Sequence, residues 1–293
     1  MPLDPQRVIK PLRKVHKALG HPARLLTPEG VHDLRTQCYR IRSMMFAFAL
    51  HEGRHGAQLL RAIEPVRKRA GKVRDTDVLT GLAASLRDGS TGESLIEVME
   101  SLGVRHARFA GKLEKTLHRE RRKARRQLKT YMKWTKREIA APRLEAADRW
   151  RRNAVAHSLA LSSELGEWPT LREDNLHRFR LKVKELRYVL QLASEADRHF
   201  IDALGEVKDA IGEWHDWTEL AAVAAKVLDD KGRSPLSKQI ASVVQAKLEN
   251  ALSLATRLRR NFFDTGRARH GSQRGARAKI KTPVLTTAAR MAA

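Results

Sequence analysis

The chain predicts an all-α fold, and three observations predict it. Ala, Leu, Arg, Lys and Glu dominate its 293 residues, all strong helix formers. No segment alternates apolar and polar residues at period two, as a half-buried strand would. And one helical pattern occurs twice. The first copy runs His32-Asp33-Leu34-Arg35 and on to Tyr39-Arg40-Ile41-Arg42; the second runs His177-Arg178-Phe179-Arg180 and on to Lys184-Glu185-Leu186-Arg187. At about 100° per residue, positions +3, +7 and +10 fall within roughly 80° of the histidine. His32, Arg35 and Arg42 therefore form one cationic stripe, and His177, Arg180, Lys184 and Arg187 form another. Positions +2, +6, +9 and +13 lie opposite: Leu34, Cys38, Ile41 and Met45, then Phe179, Val183, Leu186 and Leu190. Each helix has an apolar back and a cationic front, which suggests two half-domains presenting cations to one polyanion.

The elements follow from the breaks between periodic runs. Thr27-Pro28 opens the first stripe helix with a capping hydroxyl and a proline at the first helical position. Glu64-Pro65 reads as the opening of the next helix in the same way. Asp88-Gly89-Ser90-Thr91-Gly92 reads as a loop, and Ala141-Pro142 interrupts a long basic helix. Trp168-Pro169-Thr170 ends another helix, and Thr170-Leu171-Arg172-Glu173 has capping-box spacing ahead of His177. Asp230 to Pro235 separates the last two helices. From about residue 264 the chain has Gly, Ser and Arg but no apolar period and reads as a disordered basic tail.

The repeat extends past the histidine helices. Residues 63–79 align on glycine with residues 204–220: Val66 with Val207, Arg67 with Lys208, Gly71 with Gly212, Arg74 with His215, Asp75 with Asp216. A mid-helix glycine costs about 1 kcal/mol against alanine, so its recurrence needs a reason. Close helix packing and room for a ligand are the two readings.

Charge narrows the function. Lys and Arg number 58 against 33 Asp and Glu, a formal charge of +25. Such an excess repels itself and signals an anionic partner, whether nucleic acid, acidic membrane or another phosphate polymer; a generally basic surface is the plainer reading. Aromatic residues are 5% of the chain, which counts against a single-strand binder built on base stacking. Residues 112–137 carry twelve Lys and Arg but two Glu. Leu113, Leu117, Ala124, Leu128 and Tyr131 keep helical spacing there, so one side packs while Arg119, Arg122, Arg126 and Lys133 are free to line the same anion site or to form a solvated face.

Several classes are excluded. Neither stripe histidine has a His, Cys or carboxylate at i+3 or i+4 to share a metal. No Ser or Cys nucleophile recurs beside them. No P-loop, dinucleotide fingerprint or carboxylate cluster for Mg²⁺ is visible, so no cofactor and no enzymatic activity are expected. The one cysteine, Cys38, lies on an apolar back and reads as a small core residue. No apolar run is long enough to span a membrane, and the N-terminus lacks a signal-peptide core; a cytoplasmic protein is the expectation.

The H-x-x-R-x(6)-R pattern, each copy followed by G-x-x-[R/H]-D, resembles the CHAD domain, the conserved histidine α-helical domain. The resemblance covers about residues 5–263. It implies two similar four-helix halves, about 5–140 and 141–263, around a central basic channel that binds inorganic polyphosphate, with family members at polyphosphate granules. It makes His32, Arg35, Arg40, Arg42, Arg67, Arg74, His177, Arg180, Lys184, Arg187, Lys208 and His215 channel candidates. The family often carries two basic residues at +7 and +8; here those positions are Tyr39-Arg40 and Lys184-Glu185. The alternative reading is a nucleic-acid-binding helical protein using the same cations. The sequence leaves oligomeric state open.

Overall fold

The computed structural model describes residues 5–86, 92–140, 144–192, 197–229 and 234–263. Its elements are α1 (Pro5–Ala18), α2 (Pro22–Leu25), α3 (Pro28–Ala47), α4 (Arg54–Ala84), α5 (Gly92–Ala140), α6 (Leu144–Gly166), α7 (Glu173–Leu190), α8 (Arg198–Leu228) and α9 (Pro235–Phe262). The fold is all-α: among the described residues no strand forms. Residues 87–91, 141–143, 230–233 and 264–293, on which most of the Asp88–Gly92 loop, the Ala141-Pro142 break, most of the Asp230–Pro235 break and the basic tail were placed, lie outside the described residues.

The apolar backs pack as the period demands. Leu34, Cys38, Ile41 and Met45 on α3, and Phe179, Val183, Leu186 and Leu190 on α7, are each at most 1% exposed. At about 1.5–3 kcal/mol for each large side chain fully buried, these two rows hold the helices in a fixed rotation, so the cationic fronts cannot roll inward. Burial pushes the Cys38 thiol up to about 12, which leaves it without thiolate chemistry at neutral pH. On α5, Leu113, Leu117, Ala124, Leu128 and Tyr131 are buried.

Two groups of helices result. α3 packs on α1 and α4, and α4 and α1 both pack on α5; α7 packs on α6 and α8, and α8 on α9. Contacts of α3 with α7 and of α4 with α8 join them. One core fills the first group, with residues such as Leu12, Leu34, Ile63 and Leu117, and extends to Trp150 and Ala154 of α6 and Val189 of α7; another fills the second, around Phe179, Leu186, Phe200 and Ile211. A third, with Leu79, Leu102, Trp217, Leu220 and Ile240, ties the far ends of α4 and α5 to α8 and α9.

Helix starts follow cap chemistry, with two corrections. Thr27 caps α3, its Oγ1 accepting from the Gly30 amide at 3.2 Å with Pro28 at the first position. Glu64-Pro65, by contrast, does not open a helix: α4 begins at Arg54 and Pro65 sits inside it. Pro65 provides no amide for the Arg61 carbonyl, but Leu59, Ala62, Ile63 and Val66 are buried on either side of it, and that continuous apolar seam outweighs one missing bond. The start is placed instead by Gly56, where a Cβ would stand 1.9 Å from the Leu50 carbonyl oxygen; only glycine admits so tight an α3–α4 turn. The cap of α7 also sits two residues later than the Thr170 spacing implies. The Arg172 amide donates to Asn175 Oδ1 at 3.0 Å, and Asn175 Nδ2 donates back to the Thr170 carbonyl at 2.9 Å.

Candidate functional site

The α3–α4 corner holds its arginines with carboxylates. Arg35 on α3 reaches Asp75 on α4 at 3.4 Å. Arg67 is gripped by Glu64 in a two-point contact, 2.7 Å at each oxygen, and donates to the Tyr39 hydroxyl at 3.1 Å. Hydrogen bonding to Arg67 holds the Glu64 carboxyl below its ordinary range despite burial. Arg74, half-buried on α4, adds a further cation near His32.

The α7–α8 corner uses the main chain. Arg180 Nε donates to the Lys208 carbonyl at 3.0 Å, and Arg187 Nε to the Ile201 carbonyl at 3.3 Å. Both guanidinium groups lie across glycines of α8. A Cβ on Gly212 would stand 2.4 Å from Arg180 Nη2, and one on Gly205 would stand 3.2 Å from Arg187 Nε. The recurrent mid-helix glycine thus makes room for the protein's own arginine. In the first corner Gly71 faces Arg35 more loosely, 3.8 Å from Nε. Lys208 Nζ pairs with Asp209. The imidazoles of His177 and His215 stand with ring centroids 4.2 Å apart.

The corners meet at the +7 positions of the two stripes. Lys184 Nζ lies 3.7 Å from the centre of the Tyr39 ring and 5.9 Å from that of Tyr188. Arg35 and Arg67 sit over the same Tyr39 ring, at 5.5 and 5.1 Å. Cations from both halves therefore share one aromatic platform. A cavity of about 460 Å³ opens beside Lys184, walled by Tyr39, Arg42, Phe46, His157 and Tyr188.

The crowding of positive charge shows at Lys184, His177 and His32. Burial, then Arg35, Arg180, Lys208 and Arg67, bring the Lys184 ammonium down to about 7. Burial, then His215, Arg180 and Lys184, hold His177 below its ordinary value, with Glu219 opposing. Partial burial, then Arg74, with Arg35 and Lys208 behind, lower exposed His32, with Asp33 opposing. Burial raises the Asp216 carboxyl even though Arg180 and His215 pull it down. Lys184 thus stands among Arg35, Arg67, Arg180 and Lys208, of which Arg35, Arg67 and Lys208 are each paired with a carboxylate.

Of the fifteen candidate cations, His32, Arg35, Arg67, Arg74, Arg180, Lys184 and Lys208 are linked by these contacts and fields, and His177 and His215 flank them. Arg187 is tied to the end of α8. Arg42 stacks on Phe46 at 5.5 Å on the cavity wall. Arg40 lies over Tyr188 at 5.9 Å, within the α3–α7 contact. Arg119, Arg122 and Arg126 are exposed on α5; Arg119 is held by the adjacent Glu120 at 2.8 Å, and none of the three shares a hydrogen bond or ion pair with the cluster among the described residues. The sequence reading passed over Tyr188, took Glu64 only as part of a helix start, and gave Tyr39 no role. The signal for Tyr39 was its register: it occupies the repeat position that Lys184 occupies in the second copy. Among the described residues no group of three metal-ligating side chains forms, and no helix is long and apolar enough to cross a membrane.

Three comparisons bear on this arrangement. The CHAD domain family model matches residues 12–225, a span that begins in α1 and ends in α8. The crystal structure of the CHAD domain from the plant Ricinus communis resembles the chain at a TM-score of 0.60 with 20% sequence identity, over 88% of this chain and 89% of that one; at that identity the likeness is one of fold. No curated protein matches the chain. The family match, over well more than half the sequence and across both histidine helices, is decisive: the chain belongs to the CHAD domain family, of which polyphosphate binding is a general property.

Proposed function

We propose that the chain binds inorganic polyphosphate without transforming it, and that the cluster between α3, α4, α7 and α8 is the binding site. One observation carries this reading: Lys184 Nζ, with no carboxylate partner among the described residues, lies 3.7 Å from the Tyr39 ring inside the field of Arg35, Arg67, Arg180 and Lys208. A linear polymer with one charge per phosphate answers several of these cations at once. Arginine forks take phosphate oxygens in pairs, and each imidazole adds a donor. His32, Arg74, His177 and His215 extend the track at its ends. Arg42, Arg40 and Arg187 would act at its margins, and Arg119, Arg122 and Arg126 only through the long-range field. Recognition of this kind reads charge and spacing, not bases, so chain length sets affinity. Work at polyphosphate granules in the cytoplasm fits that chemistry.

Calorimetric titration with polyphosphates of defined length tests the assignment. The double variant Arg35→Ala/Arg180→Ala should bind at least tenfold more weakly, since each charge-assisted contact contributes about 1.5–3 kcal/mol. Unchanged affinity in a folded double variant refutes the site. Competition separates the nucleic-acid reading: polyphosphate should displace duplex DNA at far lower phosphate concentration than the reverse.

A further inference from the structure

We propose that Lys184 is a nucleophilic lysine that accepts the acyl group of small acyl phosphates whose phosphate is seated by Arg35, Arg67, Arg180 and Lys208. The inference rests on the phosphate-site reading above and extends it to a covalent modification of this chain.

Three features of the geometry support it. Lys184 is reachable, since it lines the cavity beside Tyr39, Arg42 and Tyr188. It has no carboxylate partner among the described residues, whereas other lysines here are held as ammonium ions by carboxylates: Lys182 by Glu164 at 2.9 Å, Lys247 by Glu213 at 2.7 Å, and Lys208 by Asp209. And its amine faces cations from three directions, Arg35 on α3, Arg67 on α4 and Lys208 on α8, with Arg180 one turn back on α7. Glu185, the nearest carboxylate in sequence, is engaged by His157 at 3.0 Å. Burial and those cations bring Lys184 to about 7, so much of it carries a free lone pair at neutral pH. Desolvation beside other cations is a general way to activate a lysine. The same four cations are the groups that would hold a phosphate.

The reaction balances without a further reagent. The neutral Nζ attacks the carbonyl carbon of the acyl phosphate and forms the N–C bond. The bond between carbonyl carbon and phosphate oxygen breaks, and the phosphate leaves with the electron pair. The proton shed by Nζ goes to the departing phosphate, giving hydrogen phosphate and an N-acyl lysine. A polyphosphate, which brings more negative charge than one small acyl phosphate, returns the proton to Lys184 and shields it. The resulting amide cannot be protonated, so acylation removes one cation from the centre of the site and weakens polyphosphate binding.

The test uses the full chain with acetyl phosphate at about pH 7.5, following acetylation of each lysine by peptide mass spectrometry. Lys184 should react about tenfold or more faster than Lys182, Lys208 and Lys247, tripolyphosphate should suppress that reaction, and Arg35→Ala should slow it. Tripolyphosphate binding is measured by calorimetry on the same sample. If tripolyphosphate binds and Lys184 reacts no faster than Lys182, the nucleophilic lysine is overturned while the phosphate site stands. If tripolyphosphate does not bind, both fall. An equal preference for Lys184 with acetic anhydride, which carries no phosphate, overturns the seat.

Discussion

The α3–α4 and α7–α8 corners hold their arginines in different ways, most plainly at the corresponding pair Arg35 and Arg180. In the first, Asp75 and Glu64 neutralise Arg35 and Arg67. In the second, Arg180 and Arg187 lie over Gly212 and Gly205 and donate to main-chain carbonyls. A carboxylate positions a guanidinium and cancels its charge; a carbonyl positions it and leaves the charge available. Arg35 and Arg180 thus differ in their hydrogen-bond partner, an aspartate for one and a main-chain carbonyl for the other, while Asp216 acts on Arg180 only through its field and Asp209 holds Lys208. A repeat that looks symmetric in its cations is asymmetric in what balances them.

The sharpest way to break this comparison is to fill the two glycines. In Gly212→Ala the new methyl meets Arg180 Nη2 at 2.4 Å and Cζ at 3.0 Å, and the guanidinium must leave the Lys208 carbonyl. Polyphosphate affinity should fall about tenfold, the weight of one charge-assisted contact, and the melting temperature should drop as the core-side bond is lost. Gly71→Ala meets nothing closer than Arg35 Nε at 3.8 Å. It should leave affinity unchanged and stabilise the protein by up to about 1 kcal/mol through helix propensity. Thermal melts and titration of the two variants together decide it; equal effects would mean that the corners are equivalent.

Proton linkage provides the next effect. Lys184 is held at about 7 in the folded chain and titrates near ~10.4 when unfolded. Between those values the unfolded state binds more protons, so the free protein gains stability as pH rises through that window, and the penalty is fully present below it. A bound polyanion reverses the shift. Polyphosphate binding should take up protons and tighten as pH falls from about 9 to about 7, with lowered His32 and His177 continuing the trend below the ordinary histidine range. Calorimetry in two buffers of different ionisation enthalpy measures the uptake, and Lys184→Met should abolish the part above neutrality.

A smaller effect sharpens the carboxylate side. Glu64 competes with a phosphate for Arg67, so Glu64→Gln should raise polyphosphate affinity about threefold while lowering the melting temperature by losing a charge-assisted pair. A loss of affinity would show that Glu64 positions Arg67 more than it competes.

The smallest effect concerns cations outside both corners. Arg119→Ala/Arg122→Ala/Arg126→Ala should leave the preference for polyphosphate over DNA intact and only reduce the slope of log affinity against log salt. A lost preference would place the exposed face of α5 in the binding track.

Much of the fold was legible because it depends on local rules. The 3.6-residue period identified which side of α3 and α7 would be buried, residue by residue, and Thr27 and Pro28 marked the start of α3 because cap chemistry involves only neighbours. The failures have the same origin. Pro65 looked like a helix start because its cost is local, while the seam of Leu59, Ile63 and Val66 that overrides it is a packing effect. The α7 cap moved from Thr170 to Arg172 because Asn175 could bond both the Arg172 amide and the Thr170 carbonyl.

The amino-acid sequence by itself determined that the chain is helical, that two helices carry matched cationic stripes, and that positive charge is in large excess. Only the tertiary structure decided that Lys184 would stand over Tyr39, that Gly212 would accommodate Arg180, and that Glu64 would claim Arg67. Periodicity states which direction a side chain leaves its own helix. It carries no information about which side chain arrives from the opposite helix, and the charge state of Lys184 depends on that second quantity.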